Sequence, residues 1–239
     1  MQDRPPKSPA ARIARVLQLD RGRIRTLLLV AGALFGRPTG TSLAIGFLLI
    51  VPGAALHLST KGCLRIGDEV TTSGPYRWVR NPFYLATLIV DAGIAVVIAE
   101  PWVAAVYFPV WFVVHSLTIR GEERGLTAIF GERYRSYRAR VPWLLPWKGP
   151  VRGLGPSVGF TWAAPQLVAG VEYARLVRTF AAPFIVVVGH GLVTRREDYF
   201  SSASTEELGC AAALVVLVVA DRLLVLRSRR IKARQQLGH

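Results

Sequence analysis

Cysteine is almost missing from this 239-residue chain: Cys63 and Cys210 are the two it has. Cys63 lies in a basic stretch and Cys210 inside an apolar run, which argues against a disulfide framework, and no C-x-x-C pair occurs. Histidine is equally sparse, and His57, His115, His190 and His239 are too scattered for a metal-ligand spacing, so no metal is expected. Acid is scarce as well, with 15 Asp and Glu against 30 Lys and Arg. A soluble chain this basic would point to nucleic acid, with cations and aromatics interleaved on polar surfaces. Here the cations stand in blocks between apolar runs, so nucleic-acid binding is set aside. The first 25 residues are basic and contain proline, without a small-residue cleavage site after a clean apolar stretch, and read as a cytosolic tail.

What is abundant is apolar sequence: 51% of the residues are hydrophobic and the mean hydropathy is positive. A membrane-crossing helix needs ~20 mainly apolar residues, ~17 at the short end. Leu43–Leu58, Leu85–Ala99, Trp102–Ile119, Leu176–Val193 and Leu208–Leu226 meet or approach that length. Thr26–Gly36 is shorter and bounded by Arg25 and Arg37. Counting it as a span puts the blocks 1–25, 59–82, 120–175 and 227–239 on one side, and the positive-inside rule makes that side cytosolic. The expected architecture is therefore an all-α polytopic membrane bundle of six spans, with five as the alternative and both termini cytosolic. Residues 1–25 form the tail and 26–148 a four-helix core. Residues 149–239 hold a Gly/Pro linker, a helix pair and a basic tail.

Two polar stretches flank the hairpin formed by the third and fourth apolar runs. The first, Thr72-Ser73-Gly74-Pro75-Tyr76-Arg77-Trp78-Val79-Arg80-Asn81-Pro82-Phe83-Tyr84, contains two turn signals, and Pro82 is placed to open a helix. The second contains Arg120-Gly121-Glu122-Glu123, then Phe130-Gly131-Glu132-Arg133-Tyr134, then Val141-Pro142. An aromatic–arginine belt at the bilayer interface would explain part of this. Two adjacent acids beside anionic headgroups are harder to explain. They either pair with neighbouring arginines or hold a cation or the hydroxyls of a bound cofactor. Because a hairpin returns both ends to one face, the two stretches can build one site there.

The order S-G-P-Y-R-W-V-R-N-P-F-Y, then E-E-x-x-L-x-x-x-F-G-x-x-Y-x-x-Y, then V-P-x-x-x-P, resembles the isoprenylcysteine carboxyl methyltransferase and phospholipid methyltransferase superfamily of membrane enzymes. The likeness runs from about Arg65 to Pro146. It implies a cytosolic S-adenosylmethionine site, with Asp68, Glu69, Val70 and Thr71 giving backbone contacts and Tyr76 lining the cofactor. Asn81, Pro82, Phe83 and Tyr84 fall where the family has His-Pro-x-Tyr, and Glu122 falls on its cofactor-binding glutamate. Arg120 stands near the family's acceptor-directed arginine, whose aligned place is taken by Thr118. Asn81 in place of histidine keeps hydrogen bonding and removes a titratable group.

The chemistry is compatible with that cofactor. A carboxylate suits its ammonium or ribose hydroxyls, an arginine its carboxylate, and aromatic faces its adenine or sulfonium. Methyl transfer rests on alignment and desolvation and needs a base only where the acceptor must lose a proton; Glu123 is the nearest candidate. The acceptor is expected to be lipophilic, a lipid amine, phenol or carboxylate, entering from the bilayer of a bacterial-type plasma membrane. A sterol-reductase-like enzyme using NADPH and a non-enzymatic membrane scaffold are the competing classes. Among polar residues inside spans, Asp91 is expected to face the bundle interior, with an acceptor-side role. His190 lies between two glycines, and Asp221-Arg222 lie within snorkelling reach of the cytosolic end.

Overall fold

The computed structural model describes residues 21–64, 69–153 and 171–237, with the side chains of 21–23, 171 and 229–237 left aside. Asp68, most of the tail 1–25 and residues 154–157 of the linker lie outside the described residues. The elements are α1 (Arg21–Phe35), α2 (Gly40–Cys63), α3 (Pro82–Ile98), α4 (Pro101–Phe130), α5 (Glu132–Arg140), α6 (Val171–Arg195), the short α7 (Tyr199–Ser202) and α8 (Thr205–Leu237). Single 3₁₀ turns occupy Gly74–Arg77 and Arg196–Asp198, and no strand occurs among the described residues.

Local chemistry sets the helix ends. Thr39 and Ser42 cap α2 reciprocally: Ser42 N–H donates to Thr39 Oγ1 at 3.0 Å and Thr39 N–H donates to Ser42 Oγ at 2.9 Å. Pro82 and Pro101 stand in the first turns of α3 and α4, where a missing N–H costs nothing. Gly131, at φ 55°, separates α4 from α5, a conformation that suits a residue without Cβ.

The antiparallel α2–α3 pair forms the centre of the bundle. A Cβ on Gly46 would meet the carbonyl of Gly93 at 2.8 Å, and one on Gly93 the carbonyl of Gly46 at 2.7 Å. Glycine on both sides lets the two backbones approach closely, as small residues do between membrane helices. α6 packs against α1 and α8, and one apolar cluster takes in Leu28, Ile50, Ile94, Trp111, Val186 and Cys210.

Four helices are long and apolar enough to cross a membrane, Gly40–Cys63, Pro101–Phe130, Glu172–Ser202 and Thr205–Ser228; Ile24–Phe35 and Pro82–Ile98 are shorter apolar helices. Leu27, Leu48, Val106, Val216 and Leu223 are each more than 60% exposed, so large apolar side chains face outward from the helices. In water that would be an aggregating surface, and against lipid tails it is neutral. The fold is thus a helical membrane bundle, as expected from the apolar runs.

Asp91 faces the bundle interior. It accepts from Arg25 Nε at 2.6 Å and from the Tyr107 hydroxyl at 2.7 Å, tying α1, α3 and α4 together. Asp221 pairs with Arg178 of α6 at 2.8 Å, so α8 is held by an ion pair as well as by apolar packing. His190 Nδ1 is buried without a hydrogen-bond partner among the described residues.

Candidate cofactor site at the hairpin ends

The segments before α3 and after α4 meet, as the hairpin argument requires. Arg80 is the centre of that meeting. Its Nε donates to Glu123 Oε1 at 2.8 Å, and one terminal nitrogen donates to the carbonyls of Arg138 and Val141, each at 2.7 Å. Its backbone N–H donates to the Pro142 carbonyl at 2.8 Å. Asn81 Nδ2 donates to Glu123 Oε1 at 3.3 Å and to the Trp143 carbonyl at 3.0 Å, while Arg138 stands 3.5 Å from Glu123 Oε2. The Glu123 side chain is therefore a buried carboxylate, 7% exposed, with two guanidiniums and an amide around it. Removing any one partner would leave the rest of this network unsatisfied.

Glu122 has a different setting. Successive helical residues point about 100° apart, so Glu123 turns into the bundle while Glu122 stands on the exposed side. The buried Tyr84 hydroxyl donates to Glu122 Oε1 at 3.0 Å, and the Tyr84 ring stands edge-on to His115 at 5.4 Å. His115 stacks on Trp111 at 4.1 Å. Tyr76 lies close enough to Glu122 that the carboxylate adds to its phenol pKa shift; burial is the main cause and Cys63 the second, and all three push the value above the ordinary range. Its backbone carbonyl accepts from the Tyr137 hydroxyl at 2.8 Å. Burial likewise raises the phenols of Tyr134 and Tyr137, so these rings are neutral hydrogen-bond donors. A carboxylate bordered by aromatic rings suits a cation carrying hydroxyls and a π system, which fits S-adenosylmethionine.

The other expected site residues divide. Phe83 points to α2, edge-on to His57 at 5.1 Å, with Lys61 Nζ 4.8 Å over its ring. Pro82 is buried in the first turn of α3. Val70 packs on the Tyr134–Tyr137 cluster, Thr71 is half-buried and Glu69 exposed. Arg120 is exposed one turn before Arg124, whose Nε donates to the Arg120 carbonyl, and the Thr118 hydroxyl donates to the Val114 carbonyl within α4. Residues 77–81 also run beside 141–151, with Arg77 and Val151 exchanging hydrogen bonds of 2.9 and 3.1 Å. The sequence pointed to the segments around Arg80, Tyr137 and Trp143, but not to the bonds they make.

Residues 41–133 match the family model for phospholipid methyltransferase. That segment is similar to the phospholipid methyltransferase family and makes up less than half of the chain. The resemblance read from the motifs is borne out by the relatives. Protein-S-isoprenylcysteine O-methyltransferase of Rattus norvegicus is 38% identical over 87 residues, covering 36% of this chain and 30% of the relative. Methanethiol S-methyltransferase 1 of Bradyrhizobium diazoefficiens is 34% identical over 91 residues, covering 36% and 31%. The cobalt-zinc-cadmium resistance protein CzcN of Cupriavidus metallidurans is 28% identical over 140 residues, covering 55% and 64%. The chain thus spans less than a third of the first two relatives and under two thirds of the third. No solved structure shows significant similarity to it. No group of three potential metal ligands occurs among the described residues.

Proposed function

We propose that this protein is an integral membrane methyltransferase that takes its methyl group from S-adenosylmethionine and passes it to a lipophilic acceptor. Six crossings, with both termini and the cofactor site on the cytosolic face, fit the charge distribution along the chain. The observation that carries the reading is the division of labour between adjacent acids. Glu123 is consumed in fixing the loop, and Glu122, held by Tyr84, faces outward beside aromatic rings. The names of two relatives, an isoprenylcysteine O-methyltransferase and a methanethiol S-methyltransferase, support the reaction class.

In this reading Glu122 receives the ammonium or ribose hydroxyls of the cofactor, and Tyr84 fixes the carboxylate in place. Tyr76, Asn81, Pro82 and the backbone of 69–71 shape the rest of the cofactor face. When bound, S-adenosylmethionine supplies a methyl group already activated on a sulfonium. The protein supplies alignment and a dry surrounding. Glu123 is thereby relieved of the role of base, and exposed Arg120 is left to meet acceptor headgroups at the membrane surface.

Membranes containing the protein, incubated with methyl-labelled S-adenosylmethionine, should yield label in the lipid extract, and Glu122→Gln should remove most of it. Binding of NADPH without binding of S-adenosylmethionine would overturn the reading in favour of a reductase.

A further inference from the structure

α6 lies outside the matched family segment, yet it reaches the cofactor end of the bundle. Glu172, in its first turn, is 6% exposed and stands 3.2 Å from His57 Nε2 of α2. Lys61 Nζ and an Arg175 terminal nitrogen stand at 3.3 and 2.9 Å from its other oxygen. The His57 ring is half-buried and packs edge-on against Phe83, whose neighbour Tyr84 carries Glu122. A buried carboxylate of α6 thus backs a partly open imidazole of α2 that lies against the first turn of α3.

We infer that His57 and Glu172 form a proton-accepting pair, and that the acceptor is a lipophilic molecule with a weakly acidic O–H or S–H group. This rests on the methyltransferase reading and adds the acceptor class to it. A carboxylate only accepts hydrogen bonds, so Glu172 keeps the ring hydrogen on Nε2 and leaves Nδ1 as the basic nitrogen. The acceptor's proton passes to Nδ1 and its electron pair stays on oxygen or sulfur. The resulting imidazolium is held against Glu172, and the anion is the nucleophile that a methyl donor requires. Glu172 is the charged group in contact with the ring, and Lys61 and Arg175 meet the carboxylate's other oxygen. The two cations surround the carboxylate and favour an anion forming beside the ring. With Glu123 enclosed by Arg80, Arg138 and Asn81, His57 is the imidazole or carboxylate better exposed for this task.

The test needs neither turnover nor cofactor. The probe is 4-nonyl-2-nitrophenol, whose phenolate absorbs visible light, mixed with detergent-solubilised protein at a pH where the free probe is protonated. Wild-type protein should produce the phenolate band on binding. His57→Asn should remove it and Glu172→Gln should reduce it about tenfold, the size expected for losing a charged hydrogen bond. Both variants should still bind the probe, measured by calorimetry, and His57→Asn should unfold at the wild-type temperature, while Glu172→Gln, which leaves Lys61 and Arg175 without their carboxylate, unfolds lower. A missing band in wild-type protein, or an undiminished band in His57→Asn, would overturn the pair. So would a band removed by Lys61→Gln and kept in His57→Asn, which would make the lysine cation its cause. Failure of the methyltransferase reading has a separate signature: wild-type protein that ionises the nitrophenol and does not bind S-adenosylmethionine.

Discussion

The two ends of the bundle join the same helices by opposite means. At the far end each ion pair keeps at least one side chain in contact with solvent. Arg37 N–H closes onto the Ile98 carbonyl at 2.8 Å, and the Arg37 side chain, 83% exposed, pairs with Glu100. Arg195 and Glu207 close the last turn with a half-buried pair. At the site end the connections are long, and charge is buried. Glu123 and Arg80 are taken out of water, at a desolvation cost that their attraction offsets only with several good partners. The far end needs nothing beyond chain reversal. The site end accepts buried charge, which is understandable if that charge fixes the positions of Tyr76, Asn81 and Tyr84 around Glu122.

That contrast can be broken by substitution. Arg80→Ala should have the largest effect, roughly 3–5 kcal/mol of lost stability, because it leaves Glu123 buried with too few donors and orphans the carbonyls of Arg138 and Val141. Unfolding in detergent measures it, and Arg80→Lys should recover only part, since an ammonium cannot reproduce the fork. Glu122→Gln should leave stability within about 0.5 kcal/mol while weakening S-adenosylmethionine about 10–100-fold. Tyr84→Phe removes one hydrogen bond to Glu122 and should cost the same affinity by about tenfold or less. Arg37→Ala, at the exposed far-end pair, should change stability by less than about 1 kcal/mol and cofactor affinity not at all. If Arg37→Ala and Arg80→Ala cost the same, the two ends are equivalent and the contrast is lost.

Much of the fold was legible because apolar length and turn chemistry are local properties. The six apolar runs became α1, α2, α3, α4, α6 and α8, and Pro82, Pro101 and Gly131 stand at the helix boundaries that their chemistry suggested. α1 and α3 are the short members, and Arg25 is accommodated by Asp91 instead of ending the apolar helix. Of the site, the meeting of the two polar stretches was legible from the hairpin alone. Which glutamate turns inward was not, since it depends on the rotation of α4 about its axis, a matter of packing. The partners of the Arg80 side chain lie 43 to 61 residues away, and His57 and Glu172 are 115 residues apart, separations at which spacing carries no signal.

The central claim is that Glu122, presented by Tyr84, holds S-adenosylmethionine at the ends of the α3–α4 hairpin. Isothermal calorimetry of the purified full chain with S-adenosylmethionine, wild type beside Glu122→Gln, tests it most directly. The account predicts one site per chain in the wild type, weakened at least about tenfold in the variant with an unchanged unfolding temperature. Equal affinity in the two proteins, or no binding by the wild type, would contradict it.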